Sequence, residues 1–260
     1  MVYGKILNET FLVMAQSTPS DNHLTKLTFP ELSDLPLRHG LFPKQTDAEG
    51  YVYVPKNDEI RKSLGAERFC DLHQVHSTSL RHATYTTPSG CPADGLYTHD
   101  PMLSLHIRHS DCQPAIFYDP ENHVVANVHC GWRGLVGNIY AVTVATLKRV
   151  YNSRPQDLIV VIGPSLGPDY AIYPDYKELF PPSFFAFMPE ENHLDFRAIA
   201  RKQLLDLGIS SSKITISERC TYTEHEIFFS SRYRNYYSEP NVIDTPIKKN
   251  NVTAVLLLPR

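Results

Sequence analysis

The hydrophobic pattern of this chain becomes readable after Met102, where short apolar runs alternate with turn residues. Leu103 to His109 predicts a strand, followed by a loop at Ser110-Asp111-Cys112. Ala115 to Tyr118 predicts a second strand, and Asp119-Pro120-Glu121-Asn122 carries the residues of a turn. Val124 to His129 predicts a third strand, which enters a glycine-flanked loop, Gly131-Trp132-Arg133-Gly134. Beyond it, Leu135, Ile139, Val142, Leu147 and Val150 recur at helical spacing and predict one helix with one buried face. Leu158 to Ile162 is a fully apolar strand that stops at Gly163-Pro164. A second helix is predicted to start at Asp195, a good N-cap, and to end at Gly208. Ile214 to Glu218 and Val252 to Leu258 complete the strands.

Helices and strands mix here without clean βαβ alternation. The expected class is therefore α+β, with mixed sheets and helices packed outside them. The polar stretch from Pro43 to Asp58 reads as a surface connection, and the first 60 residues carry no interpretable motif. No internal repeat or linker divides the 260 residues, so a single domain over 1–260 is expected.

Composition narrows the function classes. Apolar residues make up 42% and charged residues 20%, enough for a core. A formal charge of -3, without basic clustering, argues against a nucleic-acid or membrane-surface binder. The five cysteines are odd in number and irregular in spacing, as expected of reduced cytoplasmic thiols rather than a disulfide framework. The N-terminal MVYGKILNETFLVMAQS is broken by Asn8 and Glu9 and does not read as a signal peptide.

Three segments could supply metal ligands from strand ends: 71–76, 109–114 and 128–134. A catalytic zinc takes imidazole and thiolate from three protein ligands and keeps one position open. Cys112 is bracketed by polar residues and a proline, and His129 ends an apolar strand where Gly131 allows close approach. Twelve histidines are scattered through the chain, and these segments lack the local spacing of an HExxH or CxxC motif. Spacing alone nominates a His/Cys/His set without settling it.

The same residues carry a resemblance. HQVHS (73–77), PADGLYT (92–98), HSDCQPAIFYD (109–119) and VHCGWRG (128–134) resemble the successive motifs of the YfiH, or laccase-domain, family. The likeness continues into VVIGPSLG (160–167), with weaker echoes at LDFRAIARKQLLDLGI and CTYTEHEIFFSSRYR. It implies an α/β/β/α layered fold, also found in bacterial toxins with a Cys–His pair. Carried over by position, it implies zinc ligands at His76, Cys112 and His129, with His73 in the less constrained place. The implied chemistry is phosphorolysis of adenosine, inosine or methylthioadenosine, together with deamination of adenosine. Nucleoside and phosphate are then the partners of a monomer or weak homo-oligomer.

Around this set, Cys112 and His129 are the candidate catalytic residues, with Arg133 a candidate phosphate fork or a structural cap. Asp94 reads as a turn residue or a ligand-orienting one, and Asp111 as an acceptor for a ligand histidine or a solvated residue. Trp132 is expected to pack, and Cys130 to be a small core residue. Departures lie later: Ser165 where the family often has cysteine, Tyr170-Ala171-Ile172 for a Tyr-Glu-Val stretch, and Arg232-Tyr233-Arg234 for paired arginines. The family's glycine-rich ending is also missing.

Three other readings stay open. Copper could occupy such ligands adventitiously. Laccase chemistry, however, needs several copper sites, and the sequence contains no His-X-His pair. Without metal, Cys112 and His129 could form a thiol hydrolase, including an amidase acting on cell-wall precursors. Lastly, the altered later motifs fit a regulatory protein with a vestigial site.

Overall fold

Strand alternation sets the architecture, because successive side chains leave a strand on opposite faces. In Gln113–Asp119, Ala115 and Phe117 enter one apolar cluster while Ile116 and Tyr118 enter another. In Asn251–Leu257, Val255 and Leu257 join that second cluster, whereas Val252, Ala254 and Leu256 form a third. Both faces of each strand are buried, so these segments read as mainly apolar runs in the sequence, with a few buried polar residues such as Gln113 and Thr253. The computed structural model that shows this describes residues 24–237 and 249–260.

Two mixed sheets result. The larger has the order Ile214–Ile216, Ile159–Ile162, Gln113–Asp119, Val124–Cys130, Gly95–Thr98, Leu80–His82. The smaller runs Leu37–Phe42, Asn251–Leu257, Leu103–His109, Arg68–Cys70. Their inner faces meet through Leu41, Leu103, Leu105, Ile116, Tyr118 and Val255. The helices Ile139–Tyr151 and Phe196–Asp206 cover the outer face of the larger sheet. Asn57–Leu64 covers the outer face of the smaller one through Ile60 and Leu64. The layers are therefore α/β/β/α, as expected. Fully burying one Leu or Ile side chain in such a core is worth about 1.5–3 kcal/mol. A polar stitch joins the sheets: buried Asn127 donates from Nδ2 to the carbonyls of Leu105 and Thr253, each at 2.9 Å.

Several expectations need correction. The helix predicted from Leu135 to Val150 is two helices, Trp132–Val136 and Ile139–Tyr151. Asn138 separates them at φ 52°, and its side chain accepts from the Ala141 amide at 3.1 Å, so it caps the second helix. The break rotates the register. Ile139, Tyr140, Thr143, Val144 and Leu147 are buried, while Val150 is 39% exposed. The predicted Gly131–Gly134 loop is largely the first of these helices. The polar connection holds a small hairpin, Gln45–Thr46 with Val52–Tyr53, and the uninterpreted early region contains the core strand Leu37–Phe42. Asp195 does cap its helix, accepting from the amides of Arg197 and Ala198, and Gly208 terminates it at φ 86°. The N-terminal segment judged not to be a signal peptide lies outside the described residues, among which no helix is long and apolar enough to cross a membrane.

Candidate metal centre

The site forms where the chain passes from one sheet to the other. Leu103–His109 belongs to the smaller sheet and Gln113–Asp119 to the larger, so Ser110-Asp111-Cys112 bridges their ends. Val124–Cys130 runs antiparallel to Gln113–Asp119 with His129 opposite Pro114, which brings His129 beside Cys112. His76 arrives on the 74–79 loop. Gln74 fastens that loop to the smaller sheet, donating to the Arg108 carbonyl and accepting from the Arg108 amide, both at 2.7 Å.

The ligand atoms of His76, Cys112 and His129 all lie within 4.8 Å of one another. Among the described residues, no other three His, Cys, Asp or Glu side chains are grouped in this way. The imidazole rings of His76 and His129 meet edge to face at 4.9 Å. Gly131 closes the back of the cluster. A Cβ there would stand 3.0 Å from the Cys112 sulfur and 3.1 Å from His76 Cδ2. His76 and Asp111 hold left-handed backbone at φ 59° and 85°, conformations that non-glycine residues adopt at a cost.

Asp94 organises the cluster from behind. It is fully buried, and its Oδ1 accepts from the His76 amide at 3.0 Å and pairs with His129 Nδ1 at 2.9 Å. Its Oδ2 accepts from the Ser77 amide at 2.6 Å and the Ser77 hydroxyl at 2.8 Å. Burial alone would raise its pKa, but the bonds from His129 and Ser77 hold it below the ordinary value. With Nδ1–H given to Asp94, the Nε2 lone pair of His129 is left for the cluster. Burial likewise opposes ionisation of Cys112. The imidazoles of His129 and His76 outweigh that and pull the thiol below its ordinary value. His129 is raised, because the Cys112 thiolate and the Asp94 carboxylate overcome its desolvation. Two imidazoles and an easily ionised thiol, braced by a buried carboxylate, fit a borderline divalent metal ion.

An open cleft of about 460 Å³ reaches this cluster, a size in the small-molecule range. His76, Cys112, Tyr173, Ser231, Arg232 and Asn235 are on its walls.

The family model described as "Multi-copper polyphenol oxidoreductase laccase" matches residues 46–238. The chain belongs to this laccase-domain family. Purine nucleoside phosphorylase YlmD of Geobacillus stearothermophilus is 32% identical over 184 residues, which is 64% of this chain and 67% of that protein. A purine nucleoside phosphorylase of Bacteroides thetaiotaomicron is 30% identical over 148 residues, 54% of this chain and 55% of that protein, so the chain spans about half of that relative's length. The crystal structure of the hypothetical protein YfiH from Bacillus licheniformis superposes with a TM-score of 0.72 at 22% identity, covering 92% of this chain and 98% of that one. At that identity the likeness shows the shared fold.

Within this laccase-domain fold the other nominated residues separate. His73 is exposed on the short strand Leu72–His73, outside the ligand group. Cys130 is buried, and desolvation pushes its thiol far up. Trp132 packs edge to face on Phe180 at 5.5 Å. Arg133 is exposed, with its guanidinium over the Trp132 ring at 4.2 Å, and is not on the cleft wall. Asp111 receives no ligand histidine. Its Oδ1 accepts from the Thr221 hydroxyl and its Oδ2 from the Arg232 amide, each at 2.6 Å. The carboxylate on a ligand histidine is Asp94, in line with the ligand-orienting alternative expected for it. Tyr173 gave no signal, and Arg232 had been only a departure from the family motif. Nothing local in sequence shows that the 173 and 232 segments fold onto the same wall.

Proposed function

We propose that the chain acts as one zinc-dependent catalytic domain on purine nucleosides, phosphorolysing adenosine, inosine or methylthioadenosine and deaminating adenosine. The convergence of His76, Cys112 and His129 beside an open cleft carries this reading. The substrate class comes from the names of the relatives, and zinc from the donor set, which matches a three-ligand catalytic site with one open position. All five cysteines are free, in keeping with a reducing cytoplasm.

When bound, zinc supplies Lewis acidity that stabilises developing negative charge. The protein's own groups do the rest. Asp94 fixes the ring orientation and tautomer of His129 and, through the 76 and 77 amides, the approach of the His76 loop. Tyr173 places an aromatic ring, with Arg232 over it, on the cleft wall beside the place a purine would occupy. In phosphorolysis the bond between the sugar C1′ and the purine nitrogen breaks, its electron pair leaves with the base, and a phosphate oxygen bonds C1′. The departing base gains a proton, giving free purine and ribose 1-phosphate.

The test incubates metal-quantified protein with adenosine, inosine and methylthioadenosine, with and without phosphate, and identifies products by mass spectrometry. About one zinc per chain is expected, with activity lost in Cys112→Ala and His76→Ala. A zinc-replete protein that leaves all three nucleosides intact would refute the reading.

One observation favours a second reading. Asp94, His129 and Cys112 stand in the order of a hydrolase triad, with the base oriented by the acid and the thiol poised to ionise. A metal-free thiol hydrolase, such as an amidase on cell-wall precursors, would tolerate His76→Ala and be blocked by alkylation of Cys112. Polyphenol oxidation has weaker support. Dioxygen reduction takes four electrons, and among the described residues only one three-ligand group is formed.

A further inference from the structure

We infer that inorganic phosphate binds in the cleft on Arg232, with Ser231 and Asn235 as further donors; this rests on the phosphorolytic reading above. Phosphate recognition calls for a cation whose charge is not already spent and for hydrogen-bond donors beside it. Arg232 meets the first demand. Among the described residues its guanidinium makes no ion pair. It lies over the ring of Tyr173 at 5.3 Å. Asp111 makes no ion pair with this guanidinium; its oxygens accept from the Thr221 hydroxyl and from the backbone amide of Arg232. That second bond pins the main chain at 232 to the residue next to Cys112, and the Arg232 side chain lines the cleft.

The donors stand on the short helix Ser231–Arg234 and at its C-cap, Asn235. Ser231 Oγ accepts from Arg234 Nη2 at 3.1 Å, so its own O–H remains to donate. The side chain of Asn235 has no partner among the described residues and is on the cleft wall. Ser230 secures this turn by accepting from the Tyr233 amide at 3.1 Å. Asp175, the remaining carboxylate of the cleft, is exposed to solvent at its rim. Arg133, which the sequence nominated for phosphate, is exposed on Trp132 instead.

The test uses the full chain with zinc bound and follows inosine cleavage against phosphate concentration for wild type, Arg232→Gln, Arg232→Lys and Arg133→Gln. Losing a charge-assisted pair should raise the phosphate KM of Arg232→Gln about tenfold or more, and that of Arg232→Lys less. The inosine KM should change by less than about threefold, and Arg133→Gln should move the phosphate KM by less than about twofold. Zinc content and melting temperature establish that each variant is folded. A phosphate KM unchanged in Arg232→Gln, or raised only in Arg133→Gln, overturns the inference. A parallel arm offers AMP in place of inosine. A defect confined to AMP would assign Arg232 to a substrate's own phosphoryl group and likewise overturn it. If the wild type shows no phosphate-dependent cleavage, the phosphorolytic reading fails on its own, and calorimetry with phosphate alone decides the subsite. Weaker binding by about tenfold in Arg232→Gln would then sustain it, and equal binding would remove it.

Discussion

Replacing Gly131 by alanine adds one methyl group at the point where the backbone passes closest to two ligands. Gly131 has φ -79°, which any residue adopts, so backbone strain is not the issue. The new Cβ would lie 3.0 Å from the Cys112 sulfur and 3.1 Å from His76 Cδ2, while ordinary contact begins at 3.4 Å. The sulfur must then recede by about 0.4 Å and the imidazole by about 0.3 Å, more than the ~0.2 Å that coordination distances tolerate. Neither group moves freely. Cys112 follows Asp111, which is held by Thr221 and Arg232, and the His76 amide is tied to Asp94. The expected result is metal affinity weaker by about 10–100-fold, or about 1.4–2.7 kcal/mol, the scale seen when groups supporting a metal site are disturbed. Competition titration against a zinc chelator measures it directly, and a melting curve of metal-free protein reports any general loss of fold. Wild-type zinc affinity in Gly131→Ala would show that these ligands do not meet a metal in the arrangement described.

Asp94→Asn keeps the shape but removes an acceptor from a carboxylate that takes five hydrogen bonds. Zinc affinity should fall about 10–100-fold, and an unchanged chelator titration would exclude a bracing role for Asp94. Asn127→Ala should cost about 1–3 kcal/mol in urea unfolding, because it strips the donor from two buried carbonyls in the facing sheet; a loss below the fitting error would show that the stitch is not needed. Tyr173→Ala should raise the nucleoside KM about tenfold by removing an aromatic face, and an unaltered KM would place the purine elsewhere. Acid should destabilise the fold through buried neutral histidines. Burial, helped by neighbouring cationic groups, lowers His39 to about 4 and His106 and His109 to about 3. The unfolded chain takes up these protons near pH 6.5, so stability is full above that value and falls as pH drops toward 4. Between pH 7 and 5 each imidazole costs about 2 kcal/mol, about 6 kcal/mol together, and flat urea midpoints over that range would contradict their being buried uncharged.

How much of this was legible in the sequence depends on the range of the physics involved. The strands at 103–109, 113–119 and 124–130 announced themselves because each is buried almost completely on both faces and carries a run or alternation of apolar residues bounded by turn residues. Asp195 and Gly208 marked their helix because capping is local chemistry. The break at Asn138 was hidden, since Leu135 and Ile139 keep helical spacing across it and only the left-handed turn shifts the buried face. Leu37–Phe42 was missed for another reason. Its partner, Asn251–Leu257, is at the far end of the chain, and no periodicity in a six-residue strand reveals that pairing.

The metal centre divides along the same line. The residue types of three segments nominated a His/Cys/His set and the family resemblance singled out His76, Cys112 and His129, but their meeting depends on the crossing between two sheets. The residues that support them depend on pairings the sequence does not show. Asp94 gains its role because the short strand it precedes, Gly95–Thr98, pairs with Val124–Cys130 and brings its carboxylate to Nδ1 of His129. Arg232 gains its place because its amide closes on Asp111, the residue before the thiol. Asp111 therefore couples the two halves of the cleft: its left-handed turn presents Cys112 to the imidazoles, and its carboxylate holds the arginine segment against the same opening. Altering Asp111 should disturb the metal cluster and the arginine wall together, whereas altering Asp94 should act on the metal cluster alone.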